Sequence, residues 1–531
     1  MTSAPAATEL LIDDVERRAA RDPDSTAVVC VDSDGADHAL SWARLAADSD
    51  TVAARLLALG VGPGEPVAYQ LPNRLEFLTV TLATLRIGAV AMPLMPIFRE
   101  RELEFMLAQA RARVLFVPDA FRGRDHAALA RALQPALPAL EHVVVLPDYD
   151  ALLHGERVVA DPAARRPAPS DIAQLLFTSG STGDPKGVLH RHDVLMRAAD
   201  AHIAHFGLTD DDVVYIPSPL AHQTGFLYGM WIALRLGVTQ VASEQWSGDA
   251  GMRAIRRHGV TFTQAATPFL DDLVRVARER DARPETLRMF VATGAAVPRE
   301  LAHEARAALE AEVGGGFGTT ESCMGAGFVP GLDDERAWTT DGRALANVRL
   351  RVVDDDGREL PPGAEGNFEI LTDTLFVGYL NRPDATAAAL SPDGWYRPGD
   401  LATIDADGYV RITGRVRDVI NRGGEKVPVA EIEQLLYRHS AVAEVAIVAM
   451  PDARLGERAC AFVVLAPDET FTFAELQDHL DHHRVAKTYW PERLQLVTEL
   501  PRTPSGKIQK FVLRDRARHL EPDPQRKAAT S

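Results

Sequence analysis

The chain has 531 residues, 46% of them hydrophobic, so it can bury a sizeable core, and at ~150 residues per domain it predicts three or four folding units. A formal net charge of -18 argues against non-specific binding to nucleic acid or to an anionic membrane, since either needs a broad basic surface. Three cysteines, Cys30, Cys323 and Cys460, have neither metal-ligand spacing nor the density of a disulfide framework, which suits a reducing cytoplasm.

Residues 1–9 carry neither a basic patch nor an apolar run, so no secretory signal is predicted and a cytoplasmic location is expected. The most hydrophobic window, 77–98, is interrupted by Arg86, Gly88, Pro93 and Pro96 and reads as a buried helix followed by a strand, not a membrane span. Helix and strand patterns alternate through the first two-thirds, which indicates α/β layers with mostly parallel sheets. Pro- and Ala-rich residues 161–170 close a first α/β lobe, 1–170, and a second runs over 171–330. It opens with an apolar strand, 172–177, then Thr178-Ser179-Gly180-Ser181-Thr182-Gly183-Asp184-Pro185-Lys186-Gly187, then a helical pattern with Leu195, Ala199, Ile203 and Phe206.

That loop has the chemistry of a phosphate cradle. Glycines let the backbone approach phosphate oxygens, hydroxyls add donors, and Lys186 supplies a point charge for a polyanion. Its order differs from the Walker pattern, because Pro185 precedes the lysine and Gly187 follows it. From 331 to 414 short strands alternate with turns such as Asp354-Asp355-Asp356-Gly357 and Asp405-Ala406-Asp407-Gly408, predicting a small β-barrel-like subdomain. After 415–418 a compact α+β unit is expected over 419–518, with helices at 429–436 and 472–483 and strands at 442–450, 460–465 and 494–500. Its histidines His479, His482 and His483 lack matched metal partners and read as solvated. Residues 519–531, rich in Pro, Asp, Lys and Ala, read as a disordered tail.

Five motifs stand in order along the chain: the loop at 178–187, Gly316-Phe317-Gly318-Thr319-Thr320-Glu321, Trp395-Tyr396-Arg397-Pro398-Gly399-Asp400, Gly414-Arg415-Val416-Arg417-Asp418, and Pro504-Ser505-Gly506-Lys507. This series resembles the adenylate-forming superfamily of AMP-dependent synthetases and ligases over nearly the whole chain. The resemblance implies an N-terminal adenylation domain over 1–414, a hinge at 415–418, and a mobile lid. It implies that a carboxylate attacks the α-phosphorus of ATP, pyrophosphate departs, and acyl-AMP passes its acyl group onward.

By the same resemblance, Thr178, Ser179, Gly180, Ser181, Thr182, Gly183 and Lys186 hold the ATP phosphates. Thr320 contacts the α-phosphate and Glu321 ligates Mg2+, a hard cation suited to oxygen. Phe317, where the family usually has Tyr, stacks on adenine beside Gly318 and Thr319, and Gly294 and Ala295 cover its other face. Asp400 accepts from the ribose hydroxyls, with Arg415 nearby. Lys507 stabilises charge between carboxylate and α-phosphate. Arg417 falls at the hinge position, where relatives commonly carry Asp or Lys.

The wording of Ala221-His222-Gln223-Thr224-Gly225-Phe226 is similar to cyclohexanecarboxylate-CoA ligase-like and medium-chain members, and Ile420-Asn421-Arg422-Gly423-Gly424-Glu425-Lys426 to aryl-acid-activating enzymes. An apolar or aromatic acid is implied, with Ala221, His222, Gln223, Phe226, Phe269 and Met324 as acyl-pocket candidates and His222 as the gate between acid and thiol. Gly423, Gly424 and Glu425 match the passage for pantetheine, which makes CoA the expected acceptor. Three alternatives stand beside it: transfer to a carrier-protein thiol or an amine, activation of nitrite for diazotisation of an aryl amine, and a non-catalytic nucleotide-binding module. Oligomeric state is not legible.

Overall fold

The computed structural model describes residues 9–155, 165–178, 185–294, 299–332, 335–422, 425–452, 454–502 and 508–520. The chain forms two compact units, one built from Met1–Val297, His303–Arg349 and Ile370–Tyr396, the other from Pro298–Ala302, Leu350–Glu369 and Arg397–Ser531.

The first unit is α/β, as the alternating pattern implies. A nine-stranded sheet runs in the order Arg343–Ala344, Cys323–Gly327, Glu312–Thr319, Met289–Thr293, Phe262–Ala266, Val214–Ile216, Gln240–Ser243, Thr26–Val31 and Asp37–Ser41. Its six strands from Glu312–Thr319 to Thr26–Val31 are mutually parallel, and antiparallel strands close both ends. A seven-stranded sheet follows the order Gly378–Tyr379, Lys186–Arg191, Ile172–Thr178, Val90–Pro93, Pro66–Tyr69, Val114–Pro118 and His142–Leu146. Strands from both halves of the chain mix in both sheets, so lobes drawn at 1–170 and 171–330 exchange strands.

Burial explains the strand composition. Val114–Pro118 and Met289–Thr293 are buried at every residue, which requires unbroken apolar or small side chains because helices cover both faces. The 77–98 window resolves into helix Leu75–Arg86, buried at all twelve positions, and strand Val90–Pro93. No helix among the described residues is long and apolar enough to cross a membrane.

The phosphate loop departs from the strand, loop, helix expectation. Ile172–Thr178 is followed by an antiparallel strand, Lys186–Arg191, whose first residue pairs with Thr178. Helix His192–Phe206 begins only after that strand. Lys186 therefore stands at the mouth of a β-hairpin and not at a helix entry. Gly187 fits closely there, since a Cβ would lie 2.8 Å from Leu175 Cδ1 and 3.2 Å from Leu380 Cβ.

In the second unit a four-stranded sheet takes the order Val348–Val353, Gly366–Thr372, Asp400–Ile404 and Val410–Arg415. Both predicted Asp-Gly turns form, with Gly357 and Gly408 in the left-handed region at φ 81° and 83°. The remainder is an α+β unit around the long hairpin Val442–Asp452 and Gly456–Leu465. Alternation divides its residues between two cores. Val445, Ile447, Ala461 and Val463 meet helices Val429–Tyr437 and Phe473–His482, whereas Ala446, Val448, Cys460 and Phe462 meet helix Lys510–Ala517. That last helix is absent from the sequence reading. His479, expected to be solvated, is only partly exposed, and its Nε2 lies 2.7 Å from the Leu435 carbonyl oxygen.

Candidate active site

In open parallel sheets, ligands bind beyond the carboxyl ends of the strands. Thr293 and Gly316 are register partners on two such strands, so Gly294 and Phe317, the next residue of each, sit side by side. Gly294 has φ +87°, which a side chain would strain. The two residues read as adenine faces are thus brought together. Beyond Phe317 the strand carries a bulge at Gly318, then turns through Thr319 to Ser322. The turn is fastened by Ser322 N donating to Thr319 Oγ1 at 3.1 Å, and Cys323 leaves it with φ +59°.

Two contacts join this turn to the phosphate hairpin. His190, on the same strand face as Lys186 and Val188, approaches the Thr320 carbonyl oxygen with Nε2 at 2.6 Å. Burial depresses the His190 pKa to about 4, so the ring is neutral and Nε2–H donates. The second contact runs through Tyr379, whose strand pairs Val188 with Tyr379 and Leu189 with Gly378. Its hydroxyl donates to Glu321 Oε1 at 2.7 Å, and Lys186 Nζ lies 4.9 Å from its ring centroid. The expected phosphate lysine and the expected Mg2+ carboxylate therefore share one aromatic side chain.

Neither His190 nor Tyr379 was singled out from sequence. Strand alternation from Lys186 was a usable signal for His190; Tyr379 carried none. Ser179, Gly180, Ser181, Thr182, Gly183 and Ala295 lie outside the described residues. Thr178 ends its strand, with Oγ1 3.4 Å from the Lys186 carbonyl oxygen.

The acyl-pocket candidates separate. Asn73 grips the start of their segment, donating to the Ser218 carbonyl at 2.9 Å and accepting from Leu220 N at 2.8 Å. His222 caps the next turn, its Nδ1 accepting from Thr224 N at 3.2 Å. Phe226 to Trp231 then adopt a π-helix, a feature frequent at functional sites. Gly225 permits it: a Cβ there would lie 2.3 Å from the Pro219 carbonyl oxygen. Phe226 is fully buried, packing edge-on to Phe77 and against Trp231, so its surroundings are core. Phe269 packs on Trp246 at the start of helix Thr267–Arg280.

Gln223 and Met324 do adjoin the motif strands. Gln223 receives a hydrogen bond from Gln174 Nε2 at 3.0 Å, and Gln264 Nε2 lies 3.8 Å from Met324 Sδ. Ala221 is buried beside His222. Cys323 is buried, and burial pushes its thiol up to about 12, which removes it as a nucleophile.

In the second unit Asp400 and Arg415 are register partners on adjacent strands, and Arg415 Nε lies 3.0 Å from Asp400 Oδ1. Arg417 belongs to the single turn Val416–Asp418, and Arg514 of helix Lys510–Ala517 pairs with Asp418. Gly423 and Gly424 lie outside the described residues, as does the Glu425 side chain. The strands flanking the two glycines pair Arg422 with Glu425. Arg422 is held by Glu492, a fully buried carboxylate that also pairs with Arg458 at 2.9 Å. Lys507 too lies outside the described residues, but its loop is closed at the base by an Arg502 to Ile508 bridge and by Gln509 N donating to Pro501 O at 2.7 Å.

Glu321 gives one carboxylate, and the described residues contain no group of three or more His, Cys, Asp or Glu able to hold a metal ion. That donor set fits Mg2+ carried by a nucleotide, which needs one or two carboxylates besides phosphate and water.

The family model described as AMP-binding enzyme matches residues 15–380, and that of the AMP-binding enzyme C-terminal domain matches 431–507. A medium-chain fatty-acid–CoA ligase of Escherichia coli strain K12 is 38% identical over 94% of this chain and 89% of its own length. A salicyl-AMP ligase / salicyl-S-ArCP synthetase of Mycobacterium tuberculosis is 35% identical over 93% and 88%. Among solved structures, an anthranilate CoA ligase in complex with anthranoyl-AMP superposes with a TM-score of 0.86 at 26% identity, covering 97% of this chain and 98% of that one.

Proposed function

We propose that this chain, which belongs to the family of AMP-binding enzymes, uses ATP to activate a small apolar or aromatic carboxylic acid as acyl-AMP and then transfers the acyl group to the thiol of CoA. The observation that carries this reading is the contact of Lys186 and Glu321 with one tyrosine. It supports the reading because it holds a lysine ammonium and a carboxylate at one aromatic ring, as a site for phosphate and a hard cation needs.

A carboxylate is a poor electrophile because oxide is a hopeless leaving group. Exchange for AMP makes the leaving group a phosphate. In that exchange the protein's task is positioning and charge stabilisation. Lys186 meets the β- and γ-phosphates together with the hydroxyls and glycines of 178–183. Thr320, its carbonyl fixed by His190, contacts the α-phosphate. Glu321 would hold Mg2+, whose chemistry there is neutralisation of phosphate charge. Phe317 and Gly294 flank adenine, Asp400 accepts from the ribose hydroxyls, and Lys507 stabilises the reacting carboxylate and α-phosphate. For the thiol step His222 gates the acyl site and Gly423, Gly424 and Glu425 line the pantetheine passage. The 415–418 segment is the hinge between 1–414 and the 419–518 lid, and the protein works in the cytosol.

A carrier-protein thiol is the second reading for the acceptor. The likeness to the salicyl-S-ArCP synthetase favours it, at nearly the same identity as the CoA-ligase relative.

Mass spectrometry of products made from ATP, Mg2+ and aryl, alicyclic and medium-chain acids, with and without CoA, tests the reading. Acyl-CoA appearing only with CoA is the expected result, and acyl-AMP accumulating without thioester would move the acceptor elsewhere. Lys507→Ala is expected to slow acyl-AMP formation by about 10²–10³-fold, the scale for loss of one preorganised charge-stabilising group. Thioester formation from preformed acyl-AMP should persist; equal loss of both steps would remove Lys507 from its role.

A further inference from the structure

We propose that Tyr379 is a positioning residue for adenylation: its hydroxyl fixes the Glu321 carboxylate and its ring holds the Lys186 ammonium. The inference rests on the roles given above to Glu321 and Lys186.

Two hydrogen bonds from one short segment reach Glu321. Tyr379 donates its hydroxyl to Oε1 at 2.7 Å, and Phe376 donates its backbone N–H to the Glu321 carbonyl oxygen at 2.7 Å. Side chain and main chain of the residue are thus both tied to 376–379. The segment is itself fastened to the phosphate strand, with Val377 N donating to Leu189 O at 2.8 Å and Leu380 N to Gly187 O at 2.7 Å. Tyr379 N donates to Thr386 Oγ1 at 2.9 Å, and its ring meets Phe376 edge-on with centroids 4.8 Å apart. The phenol thus sits on a backbone already set by the strand that carries Lys186.

The choice of a phenol has a chemical reason. An arginine beside Glu321 would orient the carboxylate but also neutralise it, and would compete with a divalent cation for its oxygens. A phenol donates one hydrogen bond and leaves the negative charge in place. A phenol ordinarily ionises near pH ~10, so the hydroxyl is a donor throughout the working pH range. The ring face serves a second purpose, since its quadrupole attracts Lys186 without a counter-charge that would compete with phosphate. Second-layer hydrogen bonds of this kind commonly change metal affinity about 10- to 100-fold when removed.

Two variants of the full chain separate the two roles. Tyr379→Phe keeps the ring under Lys186 and removes the hydroxyl; Tyr379→Leu removes both. Mn2+ binding in the presence of ATP, followed by electron paramagnetic resonance, is the readout independent of turnover. ATP–pyrophosphate exchange against Mg2+ concentration, thioester formation from preformed acyl-AMP, and Tm complete the set. Tyr379→Phe should weaken Mn2+ binding and raise the Mg2+ needed for half-maximal exchange, both by about 10-fold, with Tm and thioester formation unchanged. Tyr379→Leu should add a loss of ATP affinity. Wild-type Mn2+ binding in Tyr379→Phe, or equal loss of both half-reactions together with a fall in Tm, would overturn the proposal. Protein that binds Mn2+ and ATP but exchanges no pyrophosphate with any acid would overturn the functional reading instead, and Mn2+ binding by the variants would still decide the role of Tyr379.

Discussion

At the end of the phosphate strand where Lys186 stands, the groups that hold Thr320 and Glu321 are neutral, His190 and Tyr379, whereas a charged cluster of Asp193 with Arg191 and Arg197 stands at the strand's far end. In the second unit the corresponding work is done by buried carboxylates flanked by arginines. Glu369 lies between Arg351 and Arg397, Asp400 beside Arg415, and Glu492 between Arg422 and Arg458. The contrast follows from what each region must meet. Where phosphate and a divalent cation are to bind, fixed counter-charges would compete with them, so neutral donors set the geometry. Where a small α+β unit must hold exposed hairpins and loops in place, paired charges supply rigid, directional contacts that its modest core lacks. Their cost is dependence on both partners.

The largest effect should therefore follow from breaking a charged clamp. Glu492→Ala leaves Arg422 and Arg458 facing one another within a buried site and should destabilise the second unit by about 3–5 kcal/mol in urea unfolding. A loss below about 1 kcal/mol, the value typical of an exposed pair, would show that solvent screens the clamp and that the contrast with the neutral groups around Thr320 and Glu321 is one of appearance.

Acid should affect the first unit by a different route. Burial lowers the pKa of His190 and His192 to about 4 and that of His202 to about 3, from an ordinary 6.5. The unfolded chain thus takes up protons below pH 6.5 that the folded chain refuses. Stability is complete above that pH and falls as the pH drops towards 4, by about 1.4 kcal/mol per pH unit for each histidine. His202 packs on Phe206, Tyr228 and Phe262, so His202→Phe should remove one such share and flatten the slope between pH 6.5 and 5. An unchanged slope would mean that the ring is protonated in the folded state.

The same contrast governs what could be read from sequence. Parallel α/β order, the buried 77–98 window, the Asp-Gly turns and most lid elements follow from periodicity and turn chemistry, which act over a few residues. The phosphate loop was recognisable by composition, yet its hairpin geometry was not, because the return strand Lys186–Arg191 is short and runs directly into helix His192–Phe206. Helix Lys510–Ala517 escaped notice because only Leu513 and Ala517 are buried, too few to make a periodic stripe. Tyr379 escaped because its meaning lies in partners 58 residues away at Glu321 and in a different strand at Lys186. His479 was read as solvated because no local pattern announces a partner as distant as the Leu435 carbonyl.

The smallest effect, and the sharpest test of how charge surrounds buried groups, concerns the thiols. Cys30, Cys323 and Cys460 are all buried, and burial raises each pKa, to about 12 for Cys323 and Cys460. At pH 8 a thiol of that pKa is about 10⁻⁴ ionised, so native protein should show negligible reaction with a disulfide reagent and all three thiols should appear only on unfolding. The neighbours differ in sign: the Glu321 carboxylate adds to the rise at Cys323, whereas Arg493 opposes it at Cys460. Slow labelling of the native protein followed by peptide mapping should therefore find Cys460 ahead of Cys323. The reverse order would mean that the charges beside these two thiols do not set the order in which they react.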